Sequence, residues 1–261
     1  MEYVDKTTKE GKVVKLKNYK RRARINRIKR KLLLLFLLLI VLVIILLFAP
    51  FMKIKKINCT GNTHITSEEI IKSSAINTGD NIIRINKRKA INNIDNISYI
   101  KSVEIDRKLP STLNIKIVEC QVHAYIESDK KYIYLDEEGK VLEIADKLPE
   151  NKVPSLTGAG IKNAVANDIV DLKNPEQLEC YKLIVTTLEN SRFKGMVTDI
   201  DVTDINKTSF TVNNTLKVIL GDTRDLDYKI NHKAAEAYNS TELTMTEMDL
   251  RFKDQAVIKS K

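Results

Sequence analysis

The sequence contains no tryptophan and is sparing with other residues that mark many functional folds: eight glycines, five prolines, six phenylalanines, three histidines and three cysteines in 261 residues. Each shortage removes a class. With no tryptophan and only 6% aromatic residues, sugar-stacking platforms and adhesive aromatic surfaces are disfavoured. The few glycines never form GxxxxGK[ST], so no phosphate-cradling loop is present. His64, His123 and His232 lie far apart and outside any HExxH, which leaves a zinc hydrolase without a ligand set. Cys59, Cys120 and Cys180 are odd in number, widely spaced and free of CxxC, so three separate thiols are preferred over one bridge with a leftover.

Charge is plentiful but uneven. The chain carries 44 Lys and Arg against 34 Asp and Glu, a net +10. Residues 1–31 alone hold thirteen basic side chains and three acidic ones (Glu2, Asp5, Glu10), which accounts for the whole excess. The remaining body is neutral. A nucleic-acid-binding globule should carry its positive charge on the folded domain, so that class is excluded.

Behind the basic tail comes an uninterrupted apolar run. Leu32 to Ala49 reads LLLLFLLLIVLVIILLFA, and Pro50, Phe51 and Met52 extend it before Lys53. At about 1.5 Å per residue, such a run spans roughly the ~30 Å hydrocarbon core of a bilayer. Residues 32–52 are therefore expected to be a transmembrane helix. A cleaved signal peptide would have a shorter core of about 7 to 15 residues and a small-residue cleavage site, which is absent here. The cations place the N-terminus in the cytoplasm, with residues 53–261 outside, a single-pass type II arrangement. No second run of this kind follows.

The exported part divides in two. Ile54, Ile57 and Cys59, within the stretch from Lys53 to Thr60, make a short strand-like segment that ends at a Gly61-Asn62 turn. Thr66-Ser67-Glu68-Glu69 places a hydroxyl and a carboxylate at capping-box spacing before Ile70. A Gly79-Asp80 turn leads to a helix over about 86–95 with Asn86 as its cap. Tyr99 to Ile105 and Leu113 to Ile117 then alternate apolar and polar around Arg107-Lys108-Leu109-Pro110, which reads as a hairpin. The order is β-α-α-β-β over residues 53–122. Over residues 123–261, two strands flank an acidic turn at Asp136 to Gly139, and Pro149 to Asn174 reads as loop. Pro175 to Ser191 is helical, and strands are expected at 197–202, 209–212 and 216–220. Asp222 can cap a helix carrying Leu226, Ile230, Ala234 and Ala237 on one face. The last strand-like segment runs from Leu243 to Ile258, with Met248, Leu250 and Phe252 on one side and Glu247, Asp249 and Arg251 on the other.

The stretch running through Gly61-Asn62-Thr63-His64-Ile65, Gly79-Asp80-Asn81 and Ile100-Lys101-Ser102-Val103-Glu104-Ile105-Asp106-Arg107-Lys108-Leu109-Pro110 resembles the POTRA domain of FtsQ/DivIB cell-division proteins. The basic tail, single span, POTRA module and β-rich module follow the same family order. One departure is visible. The family usually has Arg after the glutamate that ends the third strand and Pro soon after, whereas Cys120 and Val122 stand around that place here. The resemblance implies an α+β fold with Gly61, Asn62, Gly79, Arg107 and Pro110 as POTRA motif positions. It also implies a non-enzymatic protein without a cofactor, located at the division septum. The C-terminal segment of this family receives the DivIC/FtsB partner, with FtsL as a further partner. That makes Leu243, Met245, Met248, Asp249, Leu250, Arg251 and Phe252 the expected partner-binding residues. An exposed edge strand suits such a role, because a partner strand can satisfy its unpaired backbone groups.

Enzymatic chemistry finds little support. Ser-x-x-Lys occurs at Ser98, Ser128 and Ser191, but neither Ser-Asp-Asn nor Lys-Thr-Gly accompanies it. Asp199 and Asp201 share a strand face without an acid partner. Small-molecule substrates and nucleic acid are not expected. A membrane-anchored cell-wall hydrolase or transferase with an unrecognised site is the alternative reading, and an outward-facing adhesin is a third.

Overall fold

The computed structural model describes residues 25–45, 50–240, 245–252 and 255–260. Residues 25–45 are helical (α1), and the side chains from Leu32 to Ile45 are exposed. No helix among the described residues is long and apolar enough to cross a membrane. The reason is length. Residues 32–45 supply about 21 Å of apolar helix at 1.5 Å per residue, and residues 46–49 lie outside the described residues. Pro50–Met52 does not continue the helix as expected but forms a separate 3-10 turn.

The chain packs as two compact units. One comprises Met1–Ile57, Asn77–Ile85 and Arg107–Leu113; the other comprises Asn58–Ile76, Asn86–Asp106 and Asn114–Lys261. Within the first, backbone hydrogen bonds bind three short segments. Ile82 N–H donates to Met52 O (2.9 Å), Ile54 N–H to Asp80 O (2.8 Å), Gly79 N–H to Ile54 O (2.8 Å) and Lys55 N–H to Ser111 O (2.8 Å). Ile54, Ile82 and Leu113 are buried there.

The capping signals work as expected. Helix α2, Ser67–Ser74, starts at Thr66, whose side chain accepts from Glu69 N–H (3.2 Å). Helix α3, Lys87–Asp95, starts at Asn86, which accepts from Lys89 N–H (3.0 Å). The strands β1 (Lys56–Thr60), β2 (Ile100–Lys108) and β3 (Thr112–Glu119) form a sheet in the order β1-β3-β2.

A nine-stranded sheet dominates the rest of the second unit. Its strands are β4 (Ala124–Ser128), β5 (Lys131–Leu135), β6 (Val141–Ala145), β7 (Ser155–Thr157), β10 (Val197–Asp201), β11 (Thr208–Val212), β12 (Leu216–Gly221), β13 (Met245–Asp249) and β14 (Val257–Ser260). They lie in the order β14-β13-β12-β11-β10-β7-β4-β5-β6. β8 (Ile161–Asn163) and β9 (Asp171–Leu172) make a small separate pair. The expected 149–174 loop thus contains three strands. One of them, β7, joins both halves of the large sheet through parallel pairing with β4 and β10. At three residues it is too short to show a period of two.

Helix α4, Pro175–Glu189, is capped by Asn174 and buries Tyr181, Ile184, Val185 and Leu188 against the sheet. Its polar groups are satisfied: Tyr181 donates to Asp136 O (2.7 Å), and Gln177 donates to Gly158 O (3.0 Å) and Val202 O (2.9 Å). After β12, Tyr228–Ala234 is π-helical and continues as α5, Ala235–Ser240. Leu226, Ile230, Ala234 and Ala237 all face the core as their spacing predicts. Asp222 does not cap this helix. Its carboxylate pairs with Arg224 and with Lys229 Nζ (3.1 Å) instead, and the side chain at the helix start, Asp227, makes no capping bond.

Candidate partner-binding site

The sequence pattern from Leu243 to Ile258 predicts one strand-like segment, and the structure divides it into β13 and β14. β13 runs parallel to β12, pairing Val218 with Met248 and Ile219 with Asp249. β14 runs antiparallel to β13 on its other side, pairing Glu247 with Lys259, Met248 with Ile258 and Asp249 with Val257. Residues 245–249 are therefore an inner strand, which corrects the expectation that they form the edge. The edge is β14. Lys253-Asp254-Gln255, polar between two apolar stretches, was the turn signal in the sequence that could have shown the break.

Burial separates the expected contact residues. Met248 and Leu250 are 0% and 1% exposed and belong to the core, while Met245 is 8% exposed. Their side chains pack in the core of the sheet. Phe252, at 54% exposed, and Val257, at 43%, are the large apolar side chains on the surface at this end. Leu243 lies outside the described residues.

Asp249 and Arg251 form a local brace. Arg251 Nε donates to both carboxylate oxygens (3.0 and 3.1 Å), one of its terminal nitrogens donates to Oδ2 (2.6 Å), and its backbone N–H donates to Oδ1 (3.0 Å). The Arg251 guanidinium outweighs the effect of burial and holds the Asp249 carboxyl below its ordinary range. Arg251 lies over Gly221, where a Cβ would come within 2.8 Å of its side chain. Leu250 N–H donates to Ile219 O (2.9 Å), and Lys233 Nζ donates to Leu250 O (3.1 Å) and to Phe252 O. The exit from β13 is thus held by Ile219 of β12 and by Lys233, and Phe252 beyond it is exposed. The opposite edge, β6, is blunted at its start by Val141 N–H donating to Asp168 O and Asn167 N–H donating to Val141 O (both 2.8 Å).

The motif positions of the β-α-α-β-β module have structural work. Gly61 has φ +86°, and a Cβ there would lie 2.1 Å from Ile117 O. Asn62 donates to Ile65 O (2.8 Å) and to Ser67 Oγ (3.3 Å). Gly79 turns at φ +97°, and Arg107 donates to Ile85 O (2.8 Å). Pro110 is exposed at the β2–β3 turn. Sequence reasoning missed the strongest feature of this module, Glu119. Its carboxylate accepts from Thr63 N–H (3.0 Å), Thr63 Oγ1 (2.6 Å), His64 N–H (2.8 Å) and Ile65 N–H (2.9 Å). Burial would raise its pKa, but these four donors outweigh burial and hold it below the ordinary value.

Among the described residues of the second unit, His64, His123, His232, Asp199, Asp201 and Ser191 each have separate local partners. His64 stacks on Tyr99 with ring centroids 4.0 Å apart, His232 stacks on Tyr228 at 5.7 Å, and His123 lies between Glu137 and Glu189. Asp199 accepts from Ser155 Oγ (2.7 Å), and Asp201 faces Lys217 (3.7 Å). Ser191 donates to Leu188 O (2.8 Å). Among the described residues no group of His, Cys, Asp and Glu could hold a metal ion. The three cysteines are free, and burial pushes the Cys120 thiol up to about 11, which leaves it protonated and unreactive.

The β1-α2-α3-β2-β3 module followed by a large mixed sheet defines a POTRA-bearing protein, and residues 52–119 match the family model described as a POTRA domain of FtsQ type. The chain is 32% identical over 183 residues to the cell division protein DivIB of Clostridium acetobutylicum, covering 70% of this chain and 72% of that protein. It is 30% identical over 182 residues to DivIB of Clostridium tetani, covering 70% and 68%. It is also 30% identical over 156 residues to DivIB of Bacillus subtilis, covering 58% and 59%. This chain belongs to the DivIB family of cell division proteins. The major extracytoplasmic domain of DivIB from Geobacillus stearothermophilus aligns with 48% of this chain and 98% of that domain, at 17% identity and a TM-score of 0.31.

Proposed function

We propose that this chain is a bitopic assembly protein of the division machinery, which holds septal complexes together through contacts outside the cytoplasm and carries out no catalysis itself. The observation that carries the proposal is the open edge of the nine-stranded sheet at β14, in a chain that belongs to the DivIB family. A strand from a DivIC/FtsB-like partner adds along residues 257–260, and its main-chain groups pair with those that β14 directs away from β13. Phe252 and Val257 supply the apolar anchors, and an FtsL-like protein completes the complex. Asp249 and Arg251 do not meet the partner directly; they fix the turn that presents Phe252.

The run from Leu32 to Ala49 crosses the membrane in this reading, and Pro50–Met52 turns at its outer end. Exposed leucine, isoleucine, valine and phenylalanine at every position from 32 to 45 of α1 support it, because a continuous apolar surface of that size needs lipid or protein to cover it. The thirteen cations of residues 1–31 keep the tail in the cytoplasm.

Two measurements test the function. A fluorescent fusion of the full chain should gather at midcell as the septum forms. Full-length chain should also co-purify with the DivIC/FtsB-like partner and lose it when residues 257–260 are replaced by a Gly-Ser segment. Uniform membrane fluorescence throughout the cycle would refute the division role, and undiminished co-purification would refute the β14 assignment.

A further inference from the structure

The first compact unit carries a surface that strand addition does not use. Its extramembrane segments contain six basic residues, Lys53, Lys55, Lys56, Arg84, Arg107 and Lys108, against one acid, Asp80. Asp80 is turned into its own loop, where it accepts from Asn77 N–H (2.8 Å). All six basic residues are exposed, and no ion pair among the described residues involves Lys53, Lys55, Lys56 or Lys108. Two large apolar side chains are exposed beside them, Phe51 at 45% and Leu109 at 55%. The rest of the exported body holds 25 basic residues against 30 acidic ones, so the unit's charge is opposite in sign to that of the remainder.

Connectivity ties this surface to the end of the apolar run. Lys53 follows Ala49 by four positions, and the intervening Pro50–Met52 is a tight turn whose Met52 O already accepts from Ile82 N–H (2.9 Å). Lys55 N–H and Lys56 N–H both donate to Ser111 O, which fastens the Leu109-Pro110 tip to the first residues after the turn. A residue reaches at most about 3.5 Å, so Lys53 stays within about 14 Å of the point where the run ends and Lys55, which holds the tip through Ser111, within about 21 Å.

We propose that this unit is a membrane-docking platform: Lys53, Lys55, Lys56 and Lys108 bind anionic lipid headgroups on the outer surface while Phe51 and Leu109 enter the interfacial layer. The inference rests on the membrane reading of the apolar run and adds a second, electrostatic attachment that stops the first unit from swivelling about its span. Lysine next to an anionic bilayer gains from the surface potential within a Debye length, and apolar side chains flanked by lysine suit the headgroup boundary.

The absence of tryptophan gives a clean test. Full-length chain carrying Leu109→Trp as its one tryptophan is reconstituted into vesicles of brominated phosphatidylcholine, with or without brominated phosphatidylglycerol. A parallel chain carries Leu39→Trp inside the apolar run. The proposal predicts that Leu39→Trp is quenched in both vesicles. It predicts that Leu109→Trp is quenched only with phosphatidylglycerol, and that this quenching disappears at about 1 M salt, where the Debye length falls to about 3 Å. Changing Lys53, Lys55, Lys56 and Lys108 to Gln should lower the docked-to-free ratio by about fivefold per lysine, with an unchanged circular dichroism spectrum. If Leu39→Trp is quenched and Leu109→Trp is not, the platform does not dock and the proposal falls. If Leu109→Trp responds to soluble polyphosphate but not to vesicles, its partner is a polyanion, and the lipid assignment is overturned. Quenching of neither reporter defeats the membrane reading and this inference together.

Discussion

Glu119 shows how much one side chain can organise. Four donors from Thr63, His64 and Ile65 converge on its carboxylate and tie the loop after β1 to the end of β3. Glu119→Gln leaves one accepting oxygen and turns an amide toward N–H groups, so it should cost about 1–2 kcal/mol in thermal unfolding. The folded pKa is depressed below the unfolded value of about 4.3, so this stabilisation is complete above that pH and is lost as pH falls through the folded pKa. Wild type should therefore lose more stability than Glu119→Gln when the pH is lowered from neutrality into that range; parallel losses would show that the carboxylate is not the clamp. Gly61 governs the same loop from its other end. Gly61→Ala combines positive φ with a contact of 2.1 Å to Ile117 O and should destabilise by at least about 2 kcal/mol, read from the melting temperature.

At the scale of elements, the proposed function assigns stability to the inner strand β13 and recognition to the edge beyond it. Met248→Ala in β13 empties a fully buried site and should cost about 2–5 kcal/mol of stability. Phe252→Ala, beyond the strand, should leave stability within about 0.5 kcal/mol and weaken partner binding by about 2 kcal/mol or more. Calorimetry of the free chain and titration with the partner separate the two. The contrast also explains what could be read from the sequence. Caps at Thr66 and Asn86, the α4 stripe and the strands from β10 to β12 were legible because their periods persist over several residues between clear turn signals. β7 was not, since Ser155-Leu156-Thr157 has no visible pattern and owes its place to long-range parallel pairing with β4 and β10. The division of β13 from β14 was obscured because Met248, Leu250 and Phe252 keep an alternating pattern past the strand end, while tertiary packing buries the first two and leaves the third exposed. Glu119 stayed hidden because its donors lie more than fifty residues away in sequence.

At the scale of the whole molecule, a net charge of +10 describes no general basicity. It resides in the N-terminal tail, and a smaller basic cluster stands on the first compact unit at the other end of the apolar run. Between them they bracket the run with cations, while the distal sheet carries the edge that a partner can extend. In the proposed function, anchoring and capture would occupy separate parts of the chain, so defects in one should leave the other measurable. Hydrogen–deuterium exchange of the full-length chain, alone and with its DivIC/FtsB-like partner, tests the central claim most directly. The account predicts that amides in residues 257–260 slow on complex formation while those of β6, residues 143–145, do not change. A complex that forms with residues 257–260 exchanging as fast as in the free chain would contradict it.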